Sequence, residues 1–201
     1  LGSSKAPQES IAKAEELLLK ALAIDDNNSE THGNLSQVYT RKKEYDKAIA
    51  AAERGVTLEP GSSWALYRYA IALNFAGRPG QAIPLFEKAV RLNPLGPSAF
   101  YYDFGIALRD TGRVEEAIAT LKKAVERAPN WFWPHAQLAV TYSMMGMDTV
   151  AHAEAAEVLR INPRFSIEWV AKNTAYGQAR MVKVFDAMRK AGLPDKPAAQ
   201  P

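Results

Sequence analysis

The sequence predicts an all-α protein, a solenoid of stacked helix–turn–helix repeats, on three observations. A proline returns at Pro60, Pro94, Pro129 and Pro163, at intervals of 34, 35 and 34 residues, and a fixed period in this range marks a stacked-repeat protein. A small residue keeps the same beat. Ala14, Ala48, Ala82, Ala117 and Ala151 each stand twelve residues before the proline, or before Asp26 in an incomplete first copy, where only a small side chain lets two helices approach closely. Glycine recurs five residues earlier still, at Gly77, Gly112 and Gly146, where a helix ends and a residue free to take positive φ is wanted. The copy at 29–60 has Lys43 there instead.

The chain opens on "LGSSKAPQES", which reads as a loop. Ser10 would cap a helix running from about Ser10 to Ile24, with Pro7 and Gly2 favouring irregular backbone before it. That helix reads as the second of a repeat, so residues 1–28 are expected to be an incomplete first repeat and the chain a fragment cut from a longer polypeptide. The apolar side of Ile11, Leu18 and Leu22 would then be covered only by the next repeat, which invites dimerisation. Full repeats are predicted at 29–62, 63–97, 98–131 and 132–163. Leu35, Tyr69, Phe104 and Leu138, with Tyr39, Leu73, Leu108 and Tyr142 one turn on, mark the buried face of their first helices. In the second helices Leu18, Phe86 and Leu121 follow the small alanine by four residues and fill the inter-helix space. Ala52 and Ala155 are smaller, predicting looser packing in those copies. Pro84 and Gly55 predict local weakening or bending of their helices. After Pro163 the rhythm changes. A short helix is predicted around Ile167–Lys172 and a longer amphipathic one from about Gln178 to Lys190, stopped by Gly192 and Pro194. Met181, Val184, Phe185 and Met188 fall at helical spacing, which suits capping helices over 164–194 laid on the last repeat. Residues 195–201 are expected to form a disordered tail. The whole is predicted as one continuous domain.

Bulk properties agree. At 201 residues, 47% hydrophobic and 23% charged, the chain is ordinary globular material, long enough for a continuous core. No apolar run approaches the roughly 20 residues that cross a bilayer, so membrane insertion is not expected, and the first residues do not read as a secretory leader. The absence of cysteine leaves no disulfide or thiol chemistry and fits a reducing, cytoplasmic compartment. A formal charge of +3 is small, and Lys and Arg are spread over every helix, so nucleic acid is not an expected partner.

The repeat pattern resembles the tetratricopeptide repeat, with its Trp-Leu-Gly-Tyr-Ala-Phe-Pro skeleton over about 34 residues. "FYYDFGIALRDTGRVEEAIATLKKAVERAPN", residues 100–130, is the nearest match. His32, Leu66, Tyr101 and His135 replace the signature tryptophan, and only the copy at 98 keeps the glycine, Gly105. The resemblance implies a right-handed superhelical α-solenoid. A second resemblance lies in the tail: Phe165, Trp169 and the closing "MRKAGLPD" (188–195) look like the end of bacterial proteins that join a class III adenylate or guanylate cyclase domain to C-terminal repeats of this type. It implies a catalytic domain upstream and a regulatory role for the repeats.

Within the residues present no catalyst is legible. His32, His135 and His152 are the only histidines; two occupy the tryptophan position and read as packing or capping residues. No Cys or Asp/Glu partners suggest a metal site, and no phosphate loop, nucleotide fingerprint or nucleophile elbow is found, so neither an enzyme nor a cofactor is expected. A repeat stack offers a groove instead, lined by its first helices. The residues predicted to face it are Asn34, Gln37 and Arg41; Trp64, Tyr67, Arg68, Ile71, Asn74 and Phe75; Tyr102, Asp103, Ile106, Arg109 and Asp110; and Trp133, Gln137, Val140 and Met144. Tyr67 and Tyr102 could equally fill gaps between repeats. Trp64 and Phe75 beside Arg68 and Arg109 are the kind of anchors that peptide recognition uses. The chaperone carboxylate clamp of this family is not matched, since Gly33, Gln37, Tyr67 and Ile71 stand where its Lys and Asn are required. The expected ligand is a protein segment with apolar anchors and one or two acids pairing with Arg68, Arg109 or Arg41. An oligomerisation module that brings upstream catalytic domains together as a homodimer is the alternative.

Overall fold

The computed structural model describes residues 6–197, and every regular element among them is a helix: α1 (Ala6–Ile24), α2 (Ser29–Arg41), α3 (Tyr45–Leu58), α4 (Ser63–Phe75), α5 (Pro79–Leu92), α6 (Ser98–Asp110), α7 (Val114–Arg127), α8 (Phe132–Met144), α9 (Asp148–Ile161), α10 (Ile167–Asn173) and α11 (Gln178–Lys190). None is long and apolar enough to cross a membrane. The recurring glycine does what its spacing predicts. Gly77, Gly112, Gly146 and Gly192 take φ of 77°, 83°, 72° and 87°, and Lys43 follows at 62° without the benefit of a missing Cβ. Each closes a Schellman turn in which the next N–H reaches back to the helix: Glu44 to Tyr39, Arg78 to Leu73, Arg113 to Leu108, Met147 to Tyr142 and Leu193 to Met188, at 2.9–3.0 Å.

The chain divides into two compact units, residues 1–95 and 96–201. The division falls in "NPLGP" (93–97), where two prolines offer no N–H for a helix to propagate through.

In the first unit α2 pairs with α3 and α4 with α5, while α1 lies on α2 and α4 packs on both α2 and α3. Helix α1 begins at Ala6, earlier than the predicted cap. Pro7 sits in its first turn, where a missing N–H is harmless, and Ser10 lies inside the helix instead of capping it. Residues 1–5 of the predicted loop are outside the described residues. The large apolar side chains left most open on α1 are Leu17, Leu19 and Ile24, not Ile11, Leu18 and Leu22, which are half-buried. Around Ala52 the space that a larger residue would fill is taken by Tyr39 and Tyr69 with Ile49, packed on Ala48, Ala52 and Ala72. Gly55 does more than weaken α3: a Cβ there would stand 3.2 Å from the Ser29 carbonyl, and the Ser29 hydroxyl donates to the Gly55 carbonyl at 3.0 Å. Helix α5 runs unbroken past the exposed Pro84, with Pro79 opening it.

The second unit pairs α6 with α7 and α8 with α9, and lays α11 on α8. Ser98 repeats the Ser29 device, donating to the Ala124 carbonyl at 2.7 Å. Gly105 brings α6 against α7, for a Cβ there would lie 2.6 Å from Leu121 Cγ. Met181, Val184, Ala187 and Met188 of α11 join one buried cluster with Leu138, Tyr142, Val158, Phe165 and Val170. Ser166 caps α10 through the Trp169 N–H at 3.3 Å. The Ile167 and Glu168 N–H groups donate to the carbonyls of Pro194 and Asp195 at 2.9 and 3.0 Å, and Arg189 donates to the Asp195 carboxylate at 2.9 Å. Asp195 is therefore held in place and not part of a free tail; residues 198–201 lie outside the described residues.

Candidate functional site

Two first-helix faces carry the predicted residues, one in each unit. In the first unit the face belongs to α2 and α4. Asn34, Gln37, Ile71 and Phe75 are half-buried, Arg41 is exposed, and Trp64 shows 46% of its surface. Tyr67 and Asn74 are buried, which corrects their placement on an open groove. Tyr67 meets Trp64 edge-on at 5.8 Å and tilts against Phe86 at 6.1 Å, so it takes the gap-filling role.

Arg68 is the centre of this face. Its Nη1 donates to Asn34 Oδ1 and lies 3.4 Å from the Glu30 carbonyl, and its guanidinium stands 5.9 Å from the Trp64 ring centre. Nε is buried without a hydrogen-bond partner. Desolvation pulls the pKa of this guanidinium below its ordinary value, with Glu30 acting in the opposite sense. Its side chain lies on the backbone of α2 because residue 33 is glycine: a Cβ there would stand 2.6 Å from Arg68 Cδ and 3.0 Å from Nη1. Beside it opens a cleft of about 340 Å³, lined by Ser29, Glu30, Glu59, Ser62, Trp64, Ala65 and Arg68. Glu30, Glu59 and Gly33 were not among the residues predicted for the groove; the signal for Gly33 was a missing side chain at the position that Tyr67 takes one repeat on. Arg41 is elsewhere, lining a depression with Ile11, Ala12, Glu15, Lys42 and Lys43.

In the second unit the face on α6 and α8 is covered. Asp103, Ile106, Arg109, Gln137 and Val140 are buried, Tyr102 and Trp133 are half-buried, and Met144 is exposed. Arg109 is not available to a ligand acid as predicted. Its Nε donates to Asp110 Oδ1 at 3.1 Å and its Nη1 to Gln137 Oε1 at 2.5 Å. Asp110 also pairs with Arg180 of α11, whose guanidinium lies 4.0 Å from the ring centre of Tyr176. Burial pushes the hydroxyls of Tyr102 and Tyr176 well above the ordinary tyrosine value; Asp103 adds to both shifts, while Arg109 and Gln137 oppose the first and Arg180 and Arg109 the second. Trp133 is stacked in an aromatic group, 4.8 Å from Phe132, 6.3 Å from Phe165 and 6.1 Å from the half-exposed Trp169.

The histidines bond to the main chain. His32 Nε2 lies 3.0 Å from the Asp26 carbonyl, His135 Nε2 faces the Pro129 carbonyl at 3.4 Å with Nδ1 on Glu154 at 2.6 Å, and His152 Nδ1 lies 2.7 Å from the Asp148 carbonyl. Among the described residues no group of three or more His, Cys, Asp or Glu could hold a metal ion.

Comparison with known proteins places these helix pairs. Family models described as tetratricopeptide repeat match residues 17–50 and, in two overlapping placements, 67–131 and 102–161, together more than half of the chain. Human tetratricopeptide repeat protein 28 is 32% identical over 75 residues, 37% of this chain, and the chain spans about 3% of that protein's length. Among solved structures, a crystal structure of MamA aligns with a TM-score of 0.64 at 23% identity, over 86% of this chain and 97% of that one. MamA residues 41 to the end, from Desulfovibrio magneticus RS-1, aligns at 0.66 and 20% identity over 78% and 88%. YrrB, a repeat protein with an unusual peptide-binding site, aligns at 0.61 and 20% identity over 88% and 91%. At these identities the likeness shows the fold.

Proposed function

This chain belongs to the tetratricopeptide-repeat family, and from that premise we propose that it is a protein-interaction module that receives an extended segment of a partner on the α2–α4 face. Trp64 and Phe75 supply the apolar anchors, and Arg68, held by Asn34 with Gln37 on the same face, receives a carboxylate. The observation that carries this reading is the state of Arg68: a partly desolvated guanidinium with an unsatisfied Nε, laid against an exposed indole at the edge of a cleft. A carboxylate on the open side of the guanidinium would offset its desolvation, though not the buried Nε, by a charge-assisted bond worth about 1.5–3 kcal/mol. YrrB, which shares the fold, has a peptide-binding site. That likeness supports the class of ligand but not its identity.

The test is selection of peptides from a displayed random library on the immobilised chain, repeated on Arg68→Glu. Sequences with an acid near an aromatic or aliphatic residue should be enriched on the first and lost on the second. Identical sequences from both would refute the assignment.

We further read the repeat register as 1–28, 29–62, 63–97, 98–131 and 132–163, and the module as a regulatory part of a larger bacterial, cytoplasmic protein. The cyclase-like tail residues Phe165, Trp169 and 188–195 support a parent of that type. There the face would bind one catalytic state more tightly than another, since only differential affinity shifts a conformational equilibrium. The alternative, an oligomerisation module, is favoured by the exposed Leu17, Leu19 and Ile24 of α1. Light-scattering mass across a concentration series separates the two: a mass that stays monomeric sinks the second reading, and Arg68→Glu should leave the mass unchanged.

A further inference from the structure

We infer that the α6–α8 face of the second unit is a binding surface for segments carrying an aromatic residue followed four positions later by arginine, and that residues 174–180 of this chain occupy it until such a segment displaces them. Four observations converge. First, the occupant has the form of a bound peptide. Thr174 and Gly177 have φ/ψ of −75°/140° and −64°/146°, an extended backbone leading into the first turn of α11, and between them Tyr176 has its hydroxyl buried near Asp103, Arg109 and Asp110 and Tyr102 of α6.

Second, the charges are complementary. Asp110, which already holds Arg109 of its own helix, takes Arg180 as a second cation, and that guanidinium lies on the Tyr176 ring. Removing Arg180 takes one of the two cations from Asp110, so a segment that replaces it is favoured if it brings a cation to the same carboxylate. This preference for a cation distinguishes the surface from the α2–α4 face.

Third, the occupant is weakly held as a helix. α11 starts with no side-chain cap and no acid in its first turn, and Arg180 puts a positive charge where the helix dipole is already positive. α10, on the other side, has only 7 residues.

Fourth, release can be local. Beyond Arg180, α11 is fastened by Met181, Val184 and Met188, and the chain after it is pinned to the start of α10 through Pro194 and Asp195. Residues 174–180 can leave α6 without either anchor letting go.

The probe is a fluorescein-labelled peptide copying residues 172–183, titrated against the whole chain. Arg180→Glu in the chain weakens the resident segment, so the peptide should bind it about tenfold more tightly than it binds wild type, the self-occupied fraction being the factor removed. Peptides with Tyr176→Ala or Arg180→Glu should lose that binding. Chain Asp110→Lys should reverse the preference and take the Glu-bearing peptide over the Arg-bearing one. Circular dichroism and amide exchange of α6 and α8 accompany each titration. Full helicity in the Arg180→Glu chain with no gain in peptide affinity overturns the inference. Equal binding of all three peptides does so as well, as does loss of protection throughout α6 and α8, which would make the segment an integral part of the core.

Discussion

Replacing Lys43 with glycine should stabilise the protein. Lys43 is the only residue other than glycine with positive φ among those described, at 62°, and it occupies the turn position held by Gly77, Gly112 and Gly146 in the later pairs. The left-handed conformation brings Cβ towards the following carbonyl oxygen at a cost of about 1–2 kcal/mol. Glycine removes that strain but adds roughly 0.4–1 kcal/mol of unfolded-state freedom, leaving a net gain of about 0.5–1 kcal/mol. The side chain is exposed, so no packing is lost, and the turn bond from the Glu44 N–H to the Tyr39 carbonyl at 2.9 Å is unaffected. For a unit of this size the gain corresponds to a rise in Tm of about 3–6 °C, measurable by scanning calorimetry. The reciprocal change, Gly77→Lys, should lower Tm by a similar amount. Lys43→Gly that leaves Tm unchanged or lowers it, while Gly77→Lys lowers it, would show that the αL strain is not where the structure puts it.

Three further outcomes follow from the packing and electrostatics. Gly33→Ala adds a Cβ 2.6 Å from Arg68 Cδ, so the flexible arginine moves off Asn34; helix propensity gains about 1 kcal/mol, and Tm should hold or rise while affinity for acid-bearing peptides drops about tenfold. Undiminished affinity would remove Arg68 from the site. Gly105→Ala meets the fully buried Leu121 at 2.6 and 2.9 Å and the Ala117 carbonyl at 3.3 Å. Neither can yield, so overpacking of about 1–3 kcal/mol outweighs the same propensity gain; a higher Tm in calorimetry would contradict this. Finally, the desolvated hydroxyls of Tyr102 and Tyr176 stay protonated above pH 10, where their unfolded counterparts, with pKa near 10.0, ionise. The unfolded chain then binds fewer protons, so stability is full below pH 10 and declines above it by about 1.4 kcal/mol per pH unit for each tyrosine. Urea midpoints at pH 9–11 should fall less steeply for Tyr176→Phe than for wild type, and parallel curves would count against burial of that hydroxyl.

The helices, their turns and the pairing of neighbours follow from local sequence. Pro60, Pro94, Pro129 and Pro163 end helices by lacking an N–H, Gly77 and its equivalents permit left-handed turns, and Ala48, Ala82 and Ala117 let helix backbones meet. These are local effects, readable from spacing without knowing what lies across the fold. Even the exception at Lys43 could be read, because the turn is set by its neighbours' hydrogen bonds and tolerates the strain. Which side of each first helix is open depends on what packs across it. Asn34, Trp64, Arg68 and Asp103, Arg109, Gln137 look alike in sequence, polar or aromatic residues on first-helix positions. Yet Trp64 and Arg68 of the first group border a cleft and the second group lies buried, because Tyr176 and Arg180, more than sixty residues from Asp110, come back to cover it. The same holds for Gly33 and Gly55, whose importance rests on Arg68 and Ser29 across a helix interface. Periodicity reports which face of a helix is apolar, but a polar face is buried or exposed according to whether a distant segment brings complementary charge, and no local pattern encodes that.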